Sequence, residues 1–573
     1  MKHIPEKQEK LLEIIILALL FASGAYHSVL YFGHQVVPNP DFPDFIQTGH
    51  DLLSFRLPVN FKRAPVVGLL QVSLGYLIGG VCPDLTAARL IDAVLHPLSI
   101  VLLYLLGKKI VPKAAVWIAI IASINPWLIK FLTESAAETI LLFFVLLTYY
   151  FIFRRSAWSY LFASITTMVR YEGAALILAA FIIDIIHYKT TRRRIKALIC
   201  AAVASIPLAL WLLCIILSWN SQEQTHYLKE LGSMSGGKIV LATYIRVLWE
   251  TTFWPLFMPL PDASESLAAV IFATSKIVAT AAFVFGSFYG FYKRNWNIPA
   301  MLIFIVPYIF VHAVHSFVFH RVCTTVHWIA LLICMFGLEN LRQIFVRKLR
   351  ITETLLVPLR ISIIIIAGLW AGSLLQLTAS MERISEKSVH FAEVTIGFVL
   401  AVMIAQIIIK NTAALTRRFA VAAVMCLMIA SNQLILARVM GNGQRDIEFK
   451  FLTDWYLSNA KPDEKLVCSM SHLLRVLAQK YKNNFLSPCD IAGESPAEFT
   501  ANCARENITY VVWDSRLGNN PASRYYKLWK LGNIAMLARP HDVGPYKFIT
   551  RLGGNDRYVN VFRLQNQPEI NSE

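Results

Sequence analysis

The sequence predicts an all-α polytopic membrane bundle with a small α/β domain at its C-terminal end. Three observations carry this. The 573 residues are 56% hydrophobic and only 16% charged, with a mean hydropathy of +0.54, far more apolar than a soluble domain. Apolar runs of span length alternate with short basic clusters. Near Arg445 the composition turns mixed and charged, and short strand-like runs begin.

The net charge of +18 does not point to nucleic acid, because the basic residues lie in short clusters between apolar runs. The positive-inside rule accounts for them and marks their side as cytoplasmic. The clusters are Lys2/Lys7/Lys10, Lys108/Lys109/Lys113, Arg154/Arg155, Arg192 to Arg194 with Lys196, Lys293/Arg294, Arg342 with Arg347/Lys348/Arg350, and Lys410/Arg417/Arg418. The first apolar run, Leu11 to about Phe32, is long enough to span and shows no small-residue cleavage site, so it reads as a transmembrane helix with a cytoplasmic amino terminus. Apolar segments then run over 86–107, 113–131, 135–153, the short pair 157–169 and 172–187, 195–218, 264–291, 297–315, 322–340, 354–377, 394–409 and 419–438. Together these make roughly thirteen spans of ~20 residues or fewer. The apolar stretch Val66–Val81 must not span, or Lys108 and Lys109 would face outward; it reads as a re-entrant or interfacial helix.

A membrane domain over 1–440, with a first external loop over 33–65, therefore precedes an extracytoplasmic domain over 441–573. In that tail the runs 466–470, 484–486, 509–513, 546–550 and 558–564 read as strands, with helical patterns near 471–482 and 496–506. Cys200, Cys214, Cys334 and Cys426 fall in predicted helices as small apolar residues. Of Cys468, Cys489 and Cys503 in the external domain, two can pair if the compartment is oxidising, and their spacings match no zinc motif. Asn507–Ile508–Thr509 is a formal glycosylation sequon. No phosphate-binding glycine loop or dinucleotide fingerprint is present, which argues against cytoplasmic nucleotide chemistry.

The loop NPDFPDFIQTGHDLLSFRLPVNFKRAP, Asn39 to Pro65, holds Asp41, Asp44 and Asp51 and then Arg56, Lys62 and Arg63. Carboxylates followed by a basic pair at a membrane surface suit a substrate that is part lipid and part polar. The plain reading of Asp41 and Asp44 is helix capping. The functional reading is a general base for an acceptor hydroxyl, since a carboxylate in a half-dry site gains proton affinity. Lys62 and Arg63 either anchor lipid headgroups or hold a departing phosphate.

Four further places bear ionisable groups where an anchor needs none. Glu134 and Glu138 stand one helical turn apart at the mouth of a span, after Asn125–Pro126 and Lys130; Glu134 also suits a helix N-terminal dipole. Arg170–Tyr171–Glu172–Gly173 breaks an apolar region at an external turn, as a structural ion pair or a substrate contact. His312, His315, His320 and His327 cluster without a zinc spacing. Arg321 is a fixed cation at a helix mouth on the side of Asp41 and a candidate partner for a lipid phosphate.

Together these residues resemble the large membrane glycosyltransferases of GT-C fold, in particular bacterial relatives of the protein O-mannosyltransferases and of the aminoarabinose transferases that modify lipid A. Asp41, Phe45, the GHDLL helix and Lys62-Arg63-Ala64-Pro65 match that family's first external loop. Ala88–Arg89 matches the opening of its second span, Glu138 its external glutamate, Arg170-Tyr171-Glu172-Gly173 its R-x-E-G step, and His320–Arg321 its late R-Y entry, with Val322 in place of Tyr. Phe42 stands where the family often has a second acidic residue. The resemblance covers most of 1–440.

It implies an enzyme of the cell envelope, multi-pass in the inner (plasma) membrane, with its active site and C-terminal domain on the periplasmic side. It implies transfer of a hexose or pentose, in the manner of a mannosyltransferase, from a polyprenyl-phosphate-linked sugar to a lipid, glycan or protein acceptor. Asp41 or Asp44 would be the base, and Lys62, Arg63, Glu134, Glu138, Arg170, Glu172, His320 and Arg321 would bind substrate. It fixes no cofactor, and a divalent metal ion can bridge carboxylate and phosphate. The rival classes are a lipid or polysaccharide transporter or flippase, which would carry ionisable groups near the bilayer midplane and repeated halves, and a scaffold presenting the C-terminal domain.

Overall fold

The computed structural model describes residues 6–58, 61, 63–80, 82–123, 125–217, 267–313, 320–348, 446–492, 495–515, 537–554 and 557–565. The expected spans at 354–377, 394–409 and 419–438 lie outside them. The chain divides into two compact units. One comprises Met1–Phe32, Asp51–Leu69 and Arg89–Gly441; the other comprises Gly33–His50, Leu70–Ala88 and Asn442–Glu573.

The first unit is helical. Its elements are α1 (Glu6–Leu30), the ends of α2 (Phe42–Leu53) and α3 (Pro65–Ile78), most of α4 (Pro83–Ile110), α5 (Ala115–Ser123), α6 (Pro126–Glu134), α7 (Glu138–Phe153), α8 (Trp158–Val169), α9 (Ala174–His187), α10 (Thr191–Leu217), α11 (Leu267–Tyr292), α12 (Asn297–Ala313) and α13 (His320–Lys348). Among the described residues four helices, α1, α4, α10 and α13, are long and apolar enough to cross a membrane. A fifth span is possible in the pair α5 and α6, which meet at 47°.

That bend falls at Asn125–Pro126, inside the segment expected over 113–131. Pro126 removes a helical donor and pushes Asn125 to an extended conformation. The Asn125 side chain then accepts from the Trp127 and Leu128 amides, starting a new helix. A correction follows two turns later. Ser135 takes a left-handed conformation at φ 51° and ends α6 at Glu134, and α7 starts only at Glu138. Glu134 and Glu138 thus stand on different helices rather than one turn apart on one.

Elsewhere the basic residues that marked the cytoplasmic side close helices. Arg154 caps α7 and lies 4.2 Å over the Tyr150 ring. Lys293 follows α11 and lies 5.5 Å from the Tyr289 ring. Both suit the negative end of a helix dipole.

The second unit holds a five-stranded sheet of β1 (Lys465–Val467), β2 (Phe485–Leu486), β3 (Ile508–Asp514), β4 (Tyr546–Gly553) and β5 (Tyr558–Leu564), in the order β2-β1-β3-β5-β4. β2, β1 and β3 run parallel, and β5 and β4 are antiparallel additions. All five expected strands are present. Helices α14 (Ile447–Asn459), α15 (Ser471–Leu477) and α16 (Pro496–Arg505) flank the sheet; α16 opens on a capping box between Ser495 and Glu498.

Strand alternation splits the core in two. Tyr510 and Val512 face one cluster with Phe449, Leu452 and Leu473. Val511 and Trp513 face another with Phe499, Phe562 and Leu537. The first cluster also contains Val37, Phe42 and Ile46 of the first loop and Val72, Leu85 and Ala88. Cys468 lies in the first cluster and Cys503 in the second. The sheet separates them, so they cannot pair with each other.

Candidate active site

In the helical unit, three expected residues come together. The turn between α8 and α9 carries Arg170 and Glu172, and Gly173 lets that turn close on the helix before it: a Cβ there would stand 2.6 Å from the Thr167 amide nitrogen. Arg170 reaches Glu172 at 3.2 Å and Glu138, at the first position of α7, at 3.5 Å. His312, in the last turn of α12, brings its Nε2 to 2.8 Å from Glu172.

Burial alone would raise the Glu172 carboxyl. The charge of Arg170 and the contact with His312 outweigh it and hold the group well below the usual carboxylate range. The Arg170 guanidinium is held charged against its own desolvation by Glu172 and Glu138.

Tyr171, between the two charges, donates to the Phe61 carbonyl at 3.2 Å and accepts from the Trp211 indole at 2.9 Å. Phe61, Met168 and Trp211 form a small buried cluster around it. The turn is thereby tied to the stretch that leads into Arg63.

One residue of this cluster escaped the sequence reading. Asp92 is 0% exposed in α4, beside Glu138 and Thr139. One turn further along, His96 is buried as well, and so is His27 on α1. The signal was present in LIDAVLHPL: a carboxylate and an imidazole within an apolar run, which is a site hypothesis by default.

The other expected residues distribute differently. Glu134 pairs with Lys130 at 3.7 Å within α6. Lys62 and His315 lie outside the described residues. His320 and Arg321 open α13, but their side chains are outside the described part. His327 is buried within α13. Among the described residues no three His, Cys, Asp or Glu side chains gather in a geometry that would hold a metal ion.

In the second unit, Asp41 and Asp44 bracket the start of α2. The Asn39 side chain, rather than an aspartate, receives the Asp41 amide at 3.0 Å, and the Asn39 carbonyl receives that of Phe42 at 2.9 Å. Asp44 lies in the first turn, where the helix dipole favours a carboxylate, and its carbonyl accepts from Thr48 at 2.9 Å. Phe42, Phe45 and Ile46 are buried while both aspartates are only half-buried.

No protein family and no curated protein matches the sequence. Solved structures do match. ArnT from Cupriavidus metallidurans bound to undecaprenyl phosphate aligns over 97% of this chain and 98% of its own, with TM-score 0.53 and 11% identity. The apo state of ArnT from the same organism aligns over 95% and 97%, with TM-score 0.51 and 12% identity. The apo oligosaccharyltransferase of Archaeoglobus fulgidus aligns over 94% of this chain and 73% of its own, with TM-score 0.49 and 12% identity. The ArnT likeness spans nearly the whole of both chains and gives this protein the GT-C fold.

Proposed function

We propose that this protein is an integral-membrane glycosyltransferase that moves a sugar from a polyprenyl-phosphate donor to an acceptor on the extracytoplasmic face of the inner membrane. The observation that carries the reading is the fold shared end to end with ArnT, which was solved bound to undecaprenyl phosphate. The acidic and basic residues of the first loop supply the chemistry.

The donor's leaving group is a phosphate ester of low basicity, so no general acid is needed. One base suffices for the acceptor, and cations must hold the departing phosphate. In this reading Asp41 takes the proton of the acceptor hydroxyl as the new glycosidic bond forms. The bond from the anomeric carbon to the phosphate oxygen breaks on the opposite face, which inverts the configuration. Lys62, Arg63 and Arg321 hold the phosphate, and Asp44 or Glu138 orients acceptor or donor. The ion pairs of Arg170 with Glu138 and Glu172 support an organising role for that arginine.

A second reading, a lipid transporter or flippase without glycosyl transfer, draws on Asp92, a fully buried carboxylate inside a span-length helix. The deciding experiment incubates membranes with radiolabelled polyprenyl-phosphate sugars and compares wild type with Asp41→Asn and Asp44→Asn. The expected result is donor consumption by wild type and its loss in Asp41→Asn. Donor that stays intact with wild type, or a fully active Asp41→Asn, overturns the glycosyltransferase mechanism.

A further inference from the structure

We propose that Asp84 is a positioning residue for the first-loop carboxylates, holding helix α2 through His50 and making Gln479 of the C-terminal segment part of that hold. The Asp84 Oδ2 atom accepts from His50 Nε2 at 2.8 Å and from Gln479 Nε2 at 3.1 Å. All three residues belong to one compact unit. His50 is near the end of α2, whose first turn carries Asp44 and which Asp41 immediately precedes.

The carboxylate fixes more than a distance. An ionised Asp offers only acceptors, so His50 donates from Nε2. In the neutral ring Nδ1 is then the acceptor, and it faces the Tyr76 hydroxyl at 3.3 Å. The Tyr76 ring meets the imidazole edge-on at 5.8 Å. One side of α2 is thereby held by a polar chain while Phe42 and Ile46 hold the other in the core.

The neighbouring helix is shaped around the same carboxylate. Gly75 lies inside α3, where glycine is a poor choice. A Cβ at that position would collide with Asp84 Oδ1 and stand 3.2 Å from the Asp84 backbone. A second tie runs alongside, from the Cys82 thiol to the Leu477 carbonyl at 3.3 Å. A helix that begins beside a catalytic carboxylate has to be set to within a fraction of an ångström for the attack geometry to hold. The Asp84 contacts provide that setting.

The activity arm of the test rests on the glycosyltransferase reading; a second arm does not. In the full-length protein, Asp84→Ala removes the oxygen that His50 and Gln479 share. It should lower kcat by about 10- to 100-fold while the donor KM stays within about twofold, because phosphate binding is assigned to other residues. Asp84→Asn, whose amide oxygen can take the place of that acceptor, should keep most of kcat. Amide hydrogen exchange over residues 42–53 should rise in Asp84→Ala and stay near wild type in Asp84→Asn.

If Asp84→Ala does not accumulate folded, Gln479→Leu removes only the C-terminal partner and should show the same two changes more weakly. Wild-type kcat together with unchanged exchange in Asp84→Ala overturns the proposal, as does an Asp84→Asn variant as impaired as Asp84→Ala in both. If wild type transfers no sugar, the glycosyltransferase reading falls and the exchange arm alone decides the positioning role.

Discussion

Replacing Arg170 with Met tests the charge balance of the buried cluster. The substitution keeps most of the side-chain volume and removes the guanidinium that stands 3.5 Å from Glu138 and 3.2 Å from Glu172. Glu138 is only 3% exposed, and Asp92 lies beside it, so the change leaves carboxylates facing one another away from water. Breaking a buried ion pair by removing one partner destabilises by about 3–5 kcal/mol. Arg170 is 23% exposed, and His312 remains on Glu172, which places the expected loss near the lower end. A loss of about 3 kcal/mol is a roughly 150-fold change in the unfolding equilibrium at 1.36 kcal/mol per decade. The assay is reversible unfolding in mixed detergent micelles. Adding Glu138→Gln and Glu172→Gln to Arg170→Met should recover most of the loss, since neutral amides tolerate the missing cation. A single variant within about 1 kcal/mol of wild type, or a triple variant no more stable than the single, refutes the charge argument in favour of simple packing.

Three other outcomes are expected. The Glu172 carboxyl is held below its usual range, so its contribution to stability is fully present above the ordinary glutamate value of ~4.3 and is lost as pH falls toward its folded value. Glu172→Gln should therefore destabilise at pH 6, and progressively less below about pH 4; unfolding curves of both proteins across that range check it. Burial pushes the Cys503 thiol up to about 12, which leaves about one thiolate in ten thousand at pH 8. Maleimide should label it only after unfolding, as read by intact mass, and oxidation should never join it to Cys468. Gly75→Ala should destabilise by about 1–3 kcal/mol through the clash with Asp84, and combining it with Asp84→Ala should remove most of that penalty in the same unfolding assay.

Local patterns were readable along the chain and distant partnerships were not. The strands at 509–513 and 558–564 announce themselves through β-branched and aromatic residues between turns, and β3 and β5 form there. Nothing local foretells that β3 pairs parallel to β1 and antiparallel to β5. The Arg170–Glu172 turn was legible because two charges interrupt an apolar stretch. Its partners are only half legible: Glu138 stands at a helix mouth, whereas Asp92 lies inside the long apolar α4, away from either helix end. The Ser135 break was hidden since serine, alanine and alanine carry no obligatory stop signal. Asn125–Pro126 did show where the preceding helix ends, because proline has only one backbone option there. The apolar face of α2 shows in the spacing of Phe42, Phe45 and Ile46, but not which surface covers it.

The packing of the first loop against the C-terminal segment sets a schedule for biosynthesis. Asp84 and Gln479 are 395 residues apart, and at ~5–20 residues per second a ribosome needs roughly 20–80 s to make the chain between them. Throughout that interval Val37, Phe42 and Ile46 lack the side chains that bury them in the finished protein. The first loop of the chain is thus among the last parts of the fold to be completed. A nonsense mutation anywhere before Phe449 would thus leave a lesion near the amino terminus, and quality-control proteases would meet it there.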